Sequence, residues 1–487
     1  MRRRTFLGHL AAAVPLAAAA TAGGAPAILR AAAGKATDVK IDEISFAYQD
    51  YTYRTPLKFG GHLTDRITIL NVQTVVSTKS GKSAHGFGSM PMGNVWSWPS
   101  PTLSYDQTLD AMKALVTRVR DLTAAYHDYG HPIDLMWALD PQYLQAAADV
   151  STSRSLPEPI PKLCSRVAIS PFDAAVHDAF GKLHGVSSYQ TYGREFMSYD
   201  ISHYLGKEFA GEWLDQYVST KPQPRMPLYH LVGAVDPIEE SDITKRINDG
   251  LPETLPEWTR ANGLTHFKIK LNGSDVKWDI DRVLRVDRVT TETQKTRGVK
   301  DWVYSLDFNE RCPNVAYLLD FIGQIKSKSP DVFTRIQYIE QPTKRDLKSD
   351  RANVMHEAAK LKPVVIDESL TDYETLMLAH EMGYSGAALK TCKGQTHALL
   401  LGAAIQHHKL FMCVQDLTCP GASFIHSAGL AAHVKQVAAI EGNSRQYVPI
   451  ANAGWDQKYP GLFKITDGTV QTSTLTGPGL SLPDAPL

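Results

Sequence analysis

Two rhythms divide the apolar positions of this chain. Over 41–53 and 65–79, apolar and polar residues alternate in β-rich runs, which predicts antiparallel strands. Apolar residues at helical spacing then predict helices over 105–126 and 171–183. The second of these has Asp173 in its first turn and Gly181 near its end. Together they read as an α+β unit of ordinary size, followed by a polar connector over 206–224. From Pro227 the rhythm becomes short apolar run, loop, helix, repeated. The runs are 228–232, 266–271, 302–307, 336–340, 363–367, 386–390, 410–415 and 437–441, with helix-patterned stretches such as 315–327, 351–360, 373–382 and 397–406 between them. Eight short strands alternating with helices predict a parallel (β/α)8 barrel, a fold that uses about 250 residues.

Composition narrows the function class. Of 487 residues, 43% are hydrophobic and 21% charged, which allows a large core and excludes wholesale disorder. Lys and Arg number 51, as do Asp and Glu, so the chain lacks the basic surplus of a nucleic-acid or anionic-membrane binder. The five cysteines are scattered and none forms a CxxC pair, which excludes a disulfide scaffold and a cysteine zinc site.

The first thirty residues differ from the rest. They hold Arg2, Arg3, Arg4 and Arg30, no acid, and an alanine-rich apolar stretch over 10–22. Arg3-Arg4-Thr5-Phe6-Leu7 resembles a twin-arginine export signal, so a periplasmic or other extracytoplasmic location is expected after cleavage. Weak hydrophobicity and Pro15 argue against a permanent span, and no other stretch is apolar enough for one. Without residues 1–30 the chain carries 47 basic and 51 acidic residues, a mildly acidic body.

The chemistry gathers at the ends of the predicted strands, where a barrel opens its active site. Consecutive runs end in Lys268-Ile269-Lys270, Asp307-Phe308-Asn309, Glu340-Gln341-Pro342, Asp367-Glu368-Ser369 and Lys390-Thr391-Cys392-Lys393. A lone Asp after a strand is more often a helix N-cap, and a lone Lys a solvated end. Here the intervals from 270 to 307, 340, 367 and 390 are 37, 33, 27 and 23 residues, one βα unit each, so five side chains converge on one mouth. Three carboxylates together require a cation, and hard oxygen donors suit Mg²⁺ or Mn²⁺. Lys268 and Lys270 share a strand face and would look across at Lys390. Each lysine, together with the metal, is expected to lower the other's pKa and make a neutral amine base accessible near pH 7.

The ordered set Lys-x-Lys, Asp-x-Asn, Glu-Gln-Pro, Asp-Glu-Ser, Leu-Lys resembles the enolase superfamily. Within it, the set resembles the mandelate racemase/muconate lactonizing enzyme family, most closely the muconate lactonizing branch. The resemblance implies an α/β fold, a modified (β/α)7β barrel of TIM type with an N-terminal α+β capping domain. The expected segments are an export signal over 1–30, the cap over 38–205, the barrel over 226–455 and a C-terminal return to the cap over 456–487. It also implies that Asp307, Glu340 and Asp367 bind Mg²⁺ or Mn²⁺, that Lys270 and Lys390 are the two acid/bases, and that Lys268 tunes Lys270 and holds a substrate carboxylate oxygen. The implied partner is a small-molecule carboxylate, and a homo-oligomer is expected.

The implied reaction is abstraction of the proton α to that carboxylate through an enediolate, an arrangement known for this superfamily. A lysine on each face suits a racemase or epimerase. The same pair also serves cycloisomerases and dehydratases, and an exported binding protein or a different barrel enzyme, such as a hydrolase or a Schiff-base aldolase, ranks lower. Dipeptide epimerases of this branch carry Asp-x-Asp after the eighth strand, where Glu441-Gly442-Asn443 stands here, which counts against dipeptide substrates. Asn309 is expected to orient a ligand. Glu368 is expected to point away from the cluster by strand alternation. His266 is expected to be a core residue, and Asp416 and Cys413 carry no assigned role. The stretches 56–61 and 85–98 are expected to be specificity loops of the cap, with Met90, Met92, Trp96 and Trp98 either lining a lid or packing cap on barrel.

Overall fold

The computed structural model describes residues 34–59 and 61–483, so the leader and its export signal lie outside the described residues. An antiparallel sheet of three strands comes first: β1 (Val39–Phe59), β2 (His62–Thr78) and β3 (Ser83–Pro91). The helices α1 (Asn94–Ser97), α2 (Tyr105–Ala124), α3 (Pro132–Ser153) and α4 (Lys162–His184) follow it. The segment expected as a loop over 85–98 is therefore mostly strand β3 and helix α1. Gly86 and Gly88 in this segment serve close packing. A Cβ on Gly88 would stand 2.0 Å from the Pro171 carbonyl oxygen, and one on Gly86 would stand 2.1 Å from that of Ala175. Strand β3 lies directly on the backbone of α4.

Helix α4 begins nine residues before Pro171, which the sequence pattern placed at its start. Proline offers no N–H to the carbonyl of Val167, and the Ser170 hydroxyl donates to that oxygen instead (2.9 Å). Nearly every residue of α4 is buried, because the cap sheet covers one side and the barrel the other. Asp173 on this helix accepts from the Thr396 N–H and hydroxyl, both at 2.8 Å, which fixes the loop that follows Lys390.

The barrel strands are β4 (Arg225–Val232), β5 (His266–Lys270), β6 (Val303–Asp307), β7 (Ile336–Glu340), β8 (Val364–Ile366), β9 (Gly386–Leu389), β10 (Phe411–Val414) and β11 (Ile440–Glu441). All eight pair in parallel in chain order, and β11 closes on β4. Seven helices alternate with them: α5 (Leu255–Asn262), α6 (Val276–Arg297), α7 (Val315–Lys328), α8 (His356–Leu361), α9 (Tyr373–Glu381), α10 (Gln395–His407) and α11 (Gly421–His433). Helix α8 starts at His356, five residues after the pattern placed it. A last strand, β12 (Thr469–Gln471), runs antiparallel to the start of β4. Tyr229, Tyr338, Val365, Ala388, Cys413 and Ala439 form one buried cluster, which gives Cys413 a packing role. No helix among the described residues is long and apolar enough to cross a membrane.

Buried histidines tie stability to pH. His426 on α11 donates through Nε2 to Gln395 Oε1 (2.8 Å), while burial pushes its pKa down to about 3. An unfolded histidine titrates near 6.5, so this group's stabilising contribution is complete above that pH and is lost as pH falls toward 3. His426→Gln removes the dependence. Between about pH 7.5 and about pH 5, urea unfolding should show the parent losing about 2 kcal/mol more than the variant. Equal losses would mean that His426 is already charged in the fold.

Candidate active site

Parallel register sets the site. Lys270 on β5 lies opposite Asp307 on β6, and Asp307 lies opposite Glu340 on β7. Glu340 in turn pairs with Val365 on β8, so Asp367 stands two residues further along. Lys390 follows β9 directly. The six residues singled out from the sequence, Lys268, Lys270, Asp307, Glu340, Asp367 and Lys390, come together as a buried cluster at the C-terminal mouth of the barrel.

Lysine–carboxylate pairs dominate the cluster. Lys268 Nζ lies 2.8 Å from Glu340 Oε1, 3.0 Å from Glu441 Oε2 and 3.1 Å from Asp307 Oδ2. Lys270 Nζ donates to Asp307 Oδ2 (2.5 Å) and Asn309 Oδ1 (2.8 Å). Lys390 Nζ is 2.9 Å from Asp367 Oδ2, and Lys393 Nζ is 3.1 Å from Asp367 Oδ1. Burial opposes charge on Lys390, but the Asp367 carboxylate outweighs it and raises the lysine's pKa. Lys268 is raised likewise, against burial, by Glu340, Glu441 and Asp307. Lys268 pulls the Lys390 pKa down, as neighbouring cations are expected to, but the carboxylates nearest to these two lysines outweigh such lowering.

Four residues to which the sequence assigned no role in the site complete it. Gln415 joins Lys268 to Glu340: its Oε1 accepts from Lys268 (3.1 Å) and its Nε2 donates to Glu340 Oε2 (2.5 Å). Lys393 holds Asp367. Glu441 pairs with Lys268 and accepts from Asn443 Nδ2 (3.0 Å). Trp96, from helix α1 of the cap, lays its ring over Lys390 Nζ at 4.5 Å and donates its indole N–H to Glu368 Oε1 (3.0 Å). The spacing of 415 and 441, each at the end of an apolar run, carried a signal. That of Trp96 did not, because only docking of the cap brings it here. Of the two roles expected for the other cap residues, Met90, Met92 and Trp98 take the packing one: all three are buried in the core, with Met90 Sδ 3.7 Å from Cys419 Sγ.

Glu368 corrects an expectation. Strand β8 ends at Ile366, so alternation no longer governs residue 368, and its carboxyl turns into the site. It accepts from Asn309 Nδ2 (3.0 Å), and burial, aided by Asp367, raises its pKa to about 7. Asn309 also donates its backbone N–H to Asp307 Oδ1 (2.8 Å), in keeping with an orienting role. Asn309 and Glu310 hold left-handed φ angles of 41° and 69°, a conformation that costs non-glycine residues about 1–3 kcal/mol. The turn is pinned by Glu310 N–H to the Gln341 carbonyl (2.8 Å) and by the Glu310–Arg345 ion pair. His266 is half-buried against Tyr229, with its pKa pushed down to about 4 by burial. Asp416 accepts from the N–H groups of Cys419 and Asn443, and burial followed by the Glu441 charge raises its pKa to about 7.

The residues present suit a divalent cation in donor type and charge. Six buried carboxyl groups (Asp307, Glu340, Asp367, Glu368, Asp416, Glu441) surround four buried lysines (Lys268, Lys270, Lys390, Lys393), which leaves two negative charges unmatched when all are ionised. Burial, then the Asp307 charge, drives Glu340 well above the usual carboxylate range, as expected where carboxylates outnumber cations. As the side chains stand, no three His, Cys, Asp or Glu groups among the described residues converge as a ready metal site. Each carboxylate is instead turned onto an ammonium group, so a cation would compete with the lysines for the same oxygens.

Residues 251–485 match the family model described as enolase C-terminal domain-like, of the mandelate racemase/muconate lactonizing type. That match runs from just before α5 through the rest of the barrel and into the C-terminal segment, a little under half of the chain. No curated protein sequence matches the chain. Among solved structures, an enolase from Bradyrhizobium complexed with magnesium and mandelic acid is similar with a TM-score of 0.58 and 15% identity, over 92% of this chain and 96% of that one. The L-Ala-D/L-Glu epimerase from Bacillus subtilis has a TM-score of 0.58 and 15% identity, over 91% and 98%. The muconate lactonizing enzyme from Pseudomonas fluorescens has 0.56 and 16%, over 91% and 96%. At such identities the likeness shows the fold, an enolase-type barrel with its cap, and these neighbours are enolase-superfamily enzymes.

Proposed function

We propose that the protein is an enzyme that removes the proton α to a substrate carboxylate, and that it works as a racemase or epimerase. The observation that carries this reading is the placement of Lys270 and Lys390. They stand at the ends of β5 and β9, four strands apart in a ring of eight, with Asp307, Glu340 and Asp367 on the strands between.

Asp307, Glu340 and Asp367 would hold Mg²⁺ or Mn²⁺, with Gln415 and Lys393 orienting Glu340 and Asp367 from behind. The cation would supply the positive charge that the two oxygens of an enediolate require. Lys268 brings an ammonium group to the same oxygens, and Asn309 fixes the direction of Lys270 Nζ. One lysine, as the neutral amine, takes the α-proton, and the other, as ammonium, returns a proton to the opposite face. Trp96 covers Lys390 and excludes water from that side of the site.

A cavity of about 210 Å³ reaches Lys270 and Asn309, whereas Lys390 lies beneath the Trp96 ring. That asymmetry favours, as a second reading, a cycloisomerase or dehydratase in which only Lys270 moves a proton. Both readings expect α-proton exchange with solvent. The Mg²⁺-loaded protein, incubated in D₂O with a panel of α-substituted carboxylates, should exchange the α-proton of at least one, followed by NMR. No exchange across the panel with metal bound would sink both readings in favour of a binding protein.

A further inference from the structure

The cavity that ends at Lys270 has an unusual charge lining. Its charged side chains are Lys58, Lys270 and Arg311, and no carboxyl group lines it. Lys268, Lys390 and Lys393 each have a carboxylate partner. Arg311 and Lys58 have no ion pair or side-chain hydrogen bond to any described residue.

Arg311 is held at this rim by the fold. It follows the left-handed pair Asn309 and Glu310, and its backbone N–H donates to the Phe308 carbonyl (3.1 Å). Gly273, in the loop after β5, has a φ of 71° and makes room for it, since a Cβ there would stand 2.5 Å from Arg311 Cβ. The guanidinium extends to the tip of the β1–β2 hairpin, where a Cβ on Gly61 would lie 3.6 Å from Nη1. The same hairpin contributes Lys58 to the cavity lining, and Trp278 and Leu271 add apolar surface to it. Two unmatched cations lining one cavity attract an anion, and the planar guanidinium suits a carboxylate.

We propose that Arg311, aided by Lys58, binds a second carboxylate on the substrate, so that the preferred substrates are α-substituted dicarboxylates such as N-acyl-glutamates. This rests on the proposed function, in which the first carboxylate is held among Lys268 and the three acidic residues. Arg311 is then a specificity residue at the substrate's far end and moves no proton.

The test compares N-acetyl-L-glutamate with its neutral isostere N-acetyl-L-glutamine on the Mg²⁺-loaded protein, by calorimetric Kd and by α-proton exchange. A charge-assisted pair predicts about 10–100-fold tighter binding of the glutamate. Arg311→Gln should erase that preference, Lys58→Gln should reduce it, and Arg311→Glu should move it toward N-acetyl-L-lysine. Each variant is first matched to the parent in Tm, which is expected because Arg311 is exposed. Equal affinity for the two acids, a preference that survives Arg311→Gln, or no binding of either acid at millimolar concentration overturns the proposal. Exchange without preference leaves the reaction standing and removes this subsite. Preference lost in Arg311→Gln, with no exchange of any acid, keeps the subsite and removes the reaction.

Discussion

Lys390→Ala is expected to abolish α-proton exchange from one enantiomer of the substrate while the other still exchanges, and Lys270→Ala to do the reverse. Loss of a positioned general base costs about 10²–10⁴-fold in rate, and racemisation, which needs both lysines, should fall by at least that factor in either variant. The two groups cannot replace one another, because β6, β7 and β8 and their carboxylates stand between them. NMR of deuterium uptake, run separately on each enantiomer, gives the answer. Loss of all exchange in Lys270→Ala, with exchange retained in Lys390→Ala, would assign the one-base reaction that the cavity at Lys270 favours. Equal slowing of both enantiomers in both variants would mean that the lysines only hold Asp307 and Asp367 in place, and the base would have to be sought elsewhere.

The second large effect is structural. Gly88→Ala should destabilise the fold by at least about 3 kcal/mol, the upper range for overpacking, because the added Cβ meets backbone that no rotamer change can move. Separation of β3 from α4 would also disturb Asp178, which accepts from Phe87 N–H (3.0 Å) and Leu480 N–H (2.8 Å) and so ties cap strand, cap helix and C-terminal segment together. Gly323→Ala is the control. It lies on the exposed side of α7 with open space around it, and alanine there should stabilise by about 0.5–1 kcal/mol. Chemical unfolding of both variants beside the parent checks the contrast. A Gly88→Ala protein as stable as Gly323→Ala would mean that β3 and α4 are not in backbone contact.

The barrel strands were legible because each is a short apolar run closed by a polar residue, and the one-unit intervals placed Lys270, Asp307, Glu340, Asp367 and Lys390 on neighbouring strands. Parallel pairing then leaves little freedom, since strands of similar length in ring order bring their C-terminal residues to one level. The cap was legible only in part. The alternation in β1 and β2 marks a half-exposed sheet, but β3 hides its strand character behind two glycines, and α4 conceals its length behind Pro171. In both places the information lies in the partner: the glycines are explained by helix backbone, and the proline by Ser170 closing the carbonyl it leaves free.

Local pattern by itself determined the barrel, the order of its acidic and basic strand ends, and hence the class of chemistry the site can perform. Tertiary structure alone decided which ammonium meets which carboxylate, and with it the direction in which Lys268 and Lys390 titrate. It also brought Glu368 inward, placed Trp96 over one lysine, and left Arg311 and Lys58 facing an acid-free cavity. The physical reason is range. A side chain's side of a strand follows from a two-residue period, whereas its electrostatic neighbours beyond the strand end depend on left-handed turns and on cap segments hundreds of residues away in sequence.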